Sequence, residues 1–316
     1  MVKGNKIYPF GKKLRGYLSL FNASVNKYLK DLEEKLSDSS LPLYEKTLYA
    51  SWIGEKIIGG RELKDFEYYK NKLFEIKDEL KEKIKNGKSP EEVIRETVKG
   101  INRKKDYFLL TDYLETGYGN CAVATSLFLC LSETLDDELF KQCCVGELPR
   151  HIIIIKEEGG KKPEYIDFGS TYSAEDYQND FGEIPKIFEK QAVIAYILIN
   201  AGVRVSNLGK NKKAIECFNK AIKINPNSGS AWYNKGVAFY DLHKYEEAIK
   251  YFDKAIEIEP NFEGAWRNKG LLLYILGKDE EAIECLDKAV EIDPDNERAW
   301  SYKGHCLSHL GTQRKC

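Results

Sequence analysis

Cys121, His151 and Asp167 are the residues whose types and order suit covalent chemistry. A glycine-rich stretch from Thr116 to Asn120 runs into the apolar segment Ala122–Leu135, so Cys121 stands at the start of a predicted helix. Asn120 is placed to cap that helix. The free N–H groups of a helix start favour negative charge, and the thiolate is the nucleophilic form of cysteine. The same N–H groups suit an oxyanion formed on an attacked carbonyl. A base is then needed, and His151 is the one histidine in the first 194 residues. It opens the run Ile152–Ile155, which reads as a strand. Strands are expected over Gln142–Val145, His151–Lys156 and Glu164–Phe168, with turn residues between them. Pairing the last two antiparallel sets Asp167 roughly opposite His151, where a carboxylate fixes the imidazole tautomer and supports its charged form.

A helix opened by Gly119, Asn120 and Cys121, followed by His151 and then by Asp167 after a short hairpin, resembles the transglutaminase-like branch of papain-type cysteine enzymes. The resemblance covers roughly residues 110–172. It implies an α+β domain of helices and a small antiparallel sheet, with Cys121 as nucleophile, His151 as general acid and base, and Asp167 as its orienting partner. The implied reaction is acyl transfer from an amide or peptide carbonyl, through a thioester, to water or an amine, with no cofactor. Tyr118 and Asn102 stand as open candidates for the side chain that completes the oxyanion hole. The alternative is a non-catalytic adaptor in which this domain is a binding module.

The second half of the chain is organised by a period. Trp232, Trp266 and Trp300 recur every 34 residues, and so do Gly202, Gly236, Gly270 and Gly304. Ala214, Ala248 and Ala282 keep the same step, as do Ala221, Ala255 and Ala289, and Pro226, Pro260 and Pro294 close each unit. These residues resemble the tetratricopeptide (TPR) family, whose unit is a pair of antiparallel helices. An all-α TPR solenoid is expected over 195–316, with repeats at 195–228, 229–262 and 263–296 and a partial unit at 297–316 whose helix ends near Leu310. Small residues such as Gly236 and Ala248 let helix backbones approach, and Trp232 and Phe252 are expected to fill the space around that contact. Leu198 replaces the tryptophan in the first unit. The resemblance implies a concave groove for extended peptides, lined by Asn200, Asn234, Asn268, Tyr233, Tyr240, Arg267 and Tyr274.

Residues 1–110 read as helices that pack on the core at 111–190. Apolar stripes run over Leu14–Leu36 and Leu63–Ile84, and Ser89, Pro90, Glu91 and Glu92 form a helix start. The boundary near 185–194 is left open, since Ile184–Val205 reads as one long helix or two. Forty-nine basic and 50 acidic residues give a net charge of −1, which points to neither nucleic acid nor membrane as partner. No stretch is apolar for long enough to span a bilayer. The eight cysteines form no C-x-x-C pair, so no metal site is expected and most thiols read as reduced core residues. His305 and His309 share a helix face without a third ligand, and His243 falls in a turn. A cytoplasmic protein with a protein or peptide partner is the resulting expectation.

Overall fold

The computed structural model describes residues 27–28, 30–58, 63–103, 109–116, 118–148, 151–167, 170–173 and 186–313, several of them, including His151 and Asp167, by backbone alone. Residues up to 26 of the Leu14–Leu36 stripe lie outside this set, and residues 30–37 are helical. Three helices follow: α1 (Leu43–Ile58), α2 (Phe66–Lys85) and α3 (Pro90–Lys99). Asp65 caps α2, so Leu63 precedes the helix. Ser89 caps α3 as expected, its Oγ accepting from the Glu92 N–H at 3.2 Å with Pro90 as first helical residue. The part read as wholly helical also contains a short strand, β1 (Asn102–Arg103), which pairs in parallel with β2 (Tyr118–Gly119).

Helices α4 (Leu110–Thr116), α5 (Cys121–Leu135) and α6 (Asp137–Gln142) lead into a five-stranded antiparallel sheet. Its strands are β3 (Cys143–Leu148), β4 (His151–Lys156), β5 (Glu164–Asp167), β6 (Ser170–Ser173) and β7 (Lys186–Phe188), in the order β6-β5-β4-β3-β7. Two of these, β6 and β7, were not expected. The reading of Ile184–Val205 as helix throughout is corrected, because Lys186–Phe188 pairs with β3 and helix resumes only at Ala192. α5 is buried from Ala122 to Ser132 and lies on the sheet face that carries Ile152, Ile154 and Ile166. Ile153, Ile155 and Tyr165 form a separate buried cluster on the other face.

An ion cluster ties α3 to the sheet. The Lys156 ammonium is nearly buried and bonds Glu91 at 2.8 Å and Glu158 at 2.7 Å, while Arg95 holds both Glu91 and Glu164. Lys156 and Lys161 pull the Glu158 carboxyl from the ordinary 4.5 down to about 2. Burial opposes the same effect at Glu91, yet hydrogen bonds from Lys156 and Arg95 still hold it low. Depressed carboxylates contribute stability that is complete above their unfolded value and lost as pH falls through the folded one. The melting-temperature gap between wild type and Lys156→Met is therefore expected to be widest above about pH 4.5 and to close toward about pH 2. A gap independent of pH would assign Lys156 a packing role only.

The remaining chain is a helical solenoid: α7 (Ala192–Asn207), α8 (Asn211–Ile224), α9 (Gly229–Asp241), α10 (Tyr245–Ile258), α11 (Glu263–Ile275), α12 (Asp279–Ile292) and α13 (Glu297–Gln313). The last helix runs past Gly311 to Gln313, longer than expected. Within each pair a glycine of the first helix receives a large side chain of the second. A Cβ on Gly202 would stand 2.5 Å from Phe218, on Gly236 2.7 Å from Phe252, and on Gly270 2.7 Å from Leu286. Gly304, on α13, meets nothing within 4 Å. Gly236→Ala is thus expected to lower stability by about 1–2 kcal/mol, overpacking outweighing the gain in helix propensity. Gly304→Ala is expected to raise it by up to about 1 kcal/mol. Thermal melts of the two variants, opposite in sign, check both.

The tryptophans do not fill the glycine contact. Each indole N–H instead donates to the proline carbonyl six residues earlier: Trp232 to Pro226 at 2.9 Å, Trp266 to Pro260 and Trp300 to Pro294 at 2.8 Å. The turn between paired helices needs a left-handed residue, supplied by Gly209, His243 and Gly277 at the same step of 34.

One core joins the two halves. A single buried cluster takes in residues from Leu32 to Ala238, and α7 contributes ten of them. α7 packs on α1, where a Cβ on Gly54 would stand 3.2 Å from the Ala201 Cβ. Leu198, which stands at the tryptophan step of the first unit, is fully buried.

Candidate functional site

The parallel pairing of Asn102 with Tyr118 and of Arg103 with Gly119 fixes the chain just ahead of Cys121. Asn120 is extended, and its Oδ1 accepts from the Val123 N–H at 3.2 Å, while the Asn120 carbonyl accepts from Ala124 at 2.9 Å. The N–H groups of Cys121 and Ala122 thus open the helix with no acceptor inside it. One turn on, Thr125 Oγ1 donates to the Ile152 carbonyl at 3.3 Å. This bond straps the first turns of α5 to β4 beside His151.

His151 is the first residue of β4, paired through its backbone with Leu148. The β4–β5 register pairs Ile154 with Ile166 and Ile155 with Tyr165, and one further step puts Asp167 across from Ile153. Asp167 is therefore two residues short of lying directly opposite His151, a correction to the expected register. By alternation both residues belong to the register set of Ile153 and Ile155, whereas α5 packs on that of Ile152 and Ile154. Their side chains lie outside the described part of the structure. Asn102 and Tyr118 are neighbours in β1 and β2 and are likewise placed by backbone alone.

Cys121 is half-buried, and Cys144 is the other described cysteine that is not fully buried. Burial pushes the Cys143 and Cys217 thiols up to about 12, those of Cys144, Cys285 and Cys306 up to about 11, and that of Cys130 further still. Cys316 lies outside the described residues.

Cys121 opens into a cleft of about 450 Å³ between the start of α5 and the solenoid. Asn120 and Ala122 flank the thiol; α7 supplies Asn200 and Val203 among others, and α9 supplies Ser230, Tyr233 and Asn234. A second cleft of about 320 Å³ shares Tyr233 and Val237 with the first and continues over Tyr240, Arg267, Asn268 and Arg298. Six expected groove residues therefore line these two adjoining clefts, and Tyr274 lies outside them, against the His305 ring at 6.2 Å. The asparagines are engaged with their own walls: Asn234 Nδ2 donates to the Ser230 carbonyl at 2.8 Å, and Asn268 Nδ2 donates to the Tyr233 hydroxyl at 3.1 Å. Arg267 is held by Glu263 at 2.9 Å. Ser230 was not anticipated; a serine near a helix start carries no signal in the sequence beyond capping.

His309 bonds Asp279 at 2.7 Å, and His243 is exposed in its turn beside the Tyr245 hydroxyl. Among the described residues no three His, Cys, Asp or Glu converge on a metal position. No described helix is long and apolar enough to cross a membrane.

The tetratricopeptide-repeat family model matches residues 229–262 and 264–296, and a second TPR-repeat model matches 207–243. The C-terminal region carries tetratricopeptide repeats. An uncharacterized protein of Methanocaldococcus jannaschii is 56% identical over 34 residues, which are 11% of this chain and 40% of that protein's length. Solved TPR structures are similar over part of the chain. The first TPR domain of Spaghetti (RPAP3), solved bound to an HSP90 peptide, is 24% identical, covering 37% of this chain and 93% of its own at a TM-score of 0.36. The Arabidopsis OM64 TPR domain is 21% identical, covering 38% and 98%, at 0.37. The Sgt2 TPR domain from Aspergillus fumigatus is 18% identical, covering 39% and 82%, also at 0.37.

Proposed function

We propose that this chain is a peptide-binding protein whose repeat groove holds an extended segment of a partner. The observation that carries this reading is the trough made by two adjoining clefts along α7, α9 and α11, with Tyr233 and Val237 in the wall of both. Aromatic faces supply contact area at low entropic cost, and asparagine amides and arginines supply polar contacts to a main chain. The test is selection from a random-peptide phage library on the full chain. Enriched peptides are expected to share a motif and to bind Tyr233→Ala at least tenfold more weakly than wild type. Binding that is unchanged in Tyr233→Ala and in Asn234→Ala would remove the groove from the account.

A second reading is favoured by one specific feature, the placement of Cys121 at a capped helix start inside that same trough. In this reading Cys121 Sγ attacks an amide carbonyl, with the helix-start N–H groups facing the oxyanion. His151, oriented by Asp167, returns the proton to the departing amine, and water or a second amine then cleaves the thioester. The register set occupied by His151 and Asp167 weighs toward the adaptor reading, since α5 lies on the other set. Iodoacetamide labelling followed by mass spectrometry separates the two. A tenfold or greater fall in the Cys121 labelling rate at pH 7 in His151→Ala supports acyl transfer. Equal rates in the two proteins leave an adaptor.

A further inference from the structure

On one side of α13, Ala299 and Cys306 are fully buried against the preceding helices, whereas on another Trp300 and Leu307 remain 50% and 53% exposed. Among the described residues the other exposed large apolar side chains, Leu208 and Ile275, stand singly at the ends of α7 and α11. Trp300 and Leu307 share a stripe with Gly304 and Gly311, at intervals of four, three and four residues, the spacing of a helix-pair seam. In the preceding units the second helix covers this stripe. Leu273, at the step of Leu307, is 4% exposed, and Gly236 and Gly270 receive Phe252 and Leu286. On α13 a Cβ at Gly304 or Gly311 would meet nothing within 4 Å. Glycine inside a helix weakens it relative to alanine, and in the single chain neither of these two admits a neighbour. Gly311 also stands at the 34-residue step of Gly209, His243 and Gly277, each left-handed where the chain turns into the second helix of its unit. Here the helix instead runs on through Gly311 to Gln313, which lengthens the stripe.

The stripe is complementary to itself. Two copies of α13 set antiparallel about a two-fold axis midway between His305 and Cys306 bring Leu307 of each opposite Gly304 of the other. Trp300 then falls opposite Gly311, because both pairs of positions are centred on that same point. Each large side chain enters a glycine notch, as Phe218, Phe252 and Leu286 do inside the chain. No like charges meet across the axis: the flanking Ser301 and Ser308 are exposed and uncharged, and Lys303 is drawn to Asp287 of α12 at 2.6 Å. We propose that this face of α13 is the seam of a two-fold dimer of the chain, with a second copy as its occupant. Such an interface is isologous and closes at two subunits. Arg298, through which α13 meets the second cleft, lies off the stripe. Pairing therefore joins two clefts in one assembly without using them, and a partner that carries two recognised segments gains by avidity. The dimer does not rest on the groove reading.

A seam of one helix pair lies at the small end of specific interfaces, so a dissociation constant of about 10–100 μM is expected. Sedimentation velocity on the full chain, from well below that range to well above it, reads the association. Gly304→Leu fills the notch and Leu307→Gly removes the side chain that enters it. Each is expected to weaken dimerisation at least tenfold, since two-fold symmetry counts every change twice. Gly304→Leu favours helix, so its loss of association does not come from a melted α13. Mixed in equal amounts, the two variants are expected to pair with each other, because each leucine of the first then faces a glycine of the second. Leu208→Ser, which removes a leucine of similar exposure elsewhere, is expected to leave the constant within about twofold of wild type. A wild type that stays monomeric throughout overturns the proposal and leaves the face to a different helix. An association that neither α13 substitution alters, or that Leu208→Ser weakens as much, also overturns it. So does a failure of the two weakened variants to pair when mixed.

Discussion

A chain ended at Lys190 is expected not to fold, whereas one ended at Ile224 is expected to melt cooperatively. The cut at Lys190 removes α7, which is buried along its first two turns from Ala192 to Ile199 and again at Ala201, Gly202 and Val205. Val193, Ile194, Ile197, Leu198 and Ile199 are each no more than 4% exposed. At about 1.5–3 kcal/mol for each large apolar side chain, their loss amounts to roughly 10 kcal/mol. That is of the order of the whole stability of a domain. It also uncovers the face of α1 that meets Ala201 at Gly54. Ending at Ile224 keeps α7 covered on its far side by Ala214, Cys217, Phe218 and Ala221 of α8, all of them buried. Far-UV circular dichroism with thermal melting of the two truncated chains decides the matter. A cooperative transition in the shorter one would show that α7 belongs energetically to the repeats alone.

The same helix shows what the sequence made legible. The repeats could be read because each unit touches only its neighbours, so one period carries both the fold and the packing. Even so, the 34-residue step located Trp232 within its unit but not its contact: the indole bonds the Pro226 carbonyl and leaves the space at Gly236 to Phe252. The uninterrupted apolar run of α7 is what a helix buried on all sides requires. The sequence marks the run as helix, as the opening of the first repeat and as too short to span a bilayer, but nothing in the run itself names α1 as its second partner. β7 was hidden in the same way: three residues, Lys186–Phe188, in front of an apolar helix read as part of it. At the site, the start of α5 at Cys121 and its Asn120 cap followed from local residue types. The meeting of Cys121 with Asn200 and Asn234 did not. It depends on α7 being seated on α1, a contact between segments some 150 residues apart, such as Glu55 and Arg204. Spacing rules do not reach that far.

That pair gives the second large effect. Arg204→Met is expected to lower stability by about 3 kcal/mol, and Glu55→Met/Arg204→Met to recover most of the loss. The Arg204 Nη1 lies 2.8 Å from Glu55 Oε1, with the Glu55 side chain 1% exposed and that of Arg204 25% exposed. Removing the guanidinium leaves a carboxylate held between α1 and α7 without the cation that offsets its desolvation, which typically costs about 3–5 kcal/mol. The partial exposure of Arg204 puts this case at the lower end. Replacing both residues with methionine removes the charge and keeps the volume, an exchange that is often neutral. Chemical denaturation of the wild type, both single variants and the double variant closes a mutant cycle, with a coupling energy of more than about 1 kcal/mol expected. Additive losses would mean that α7 is held on α1 by apolar packing alone. The orientation of the groove over Cys121 would then owe nothing to this charge pair.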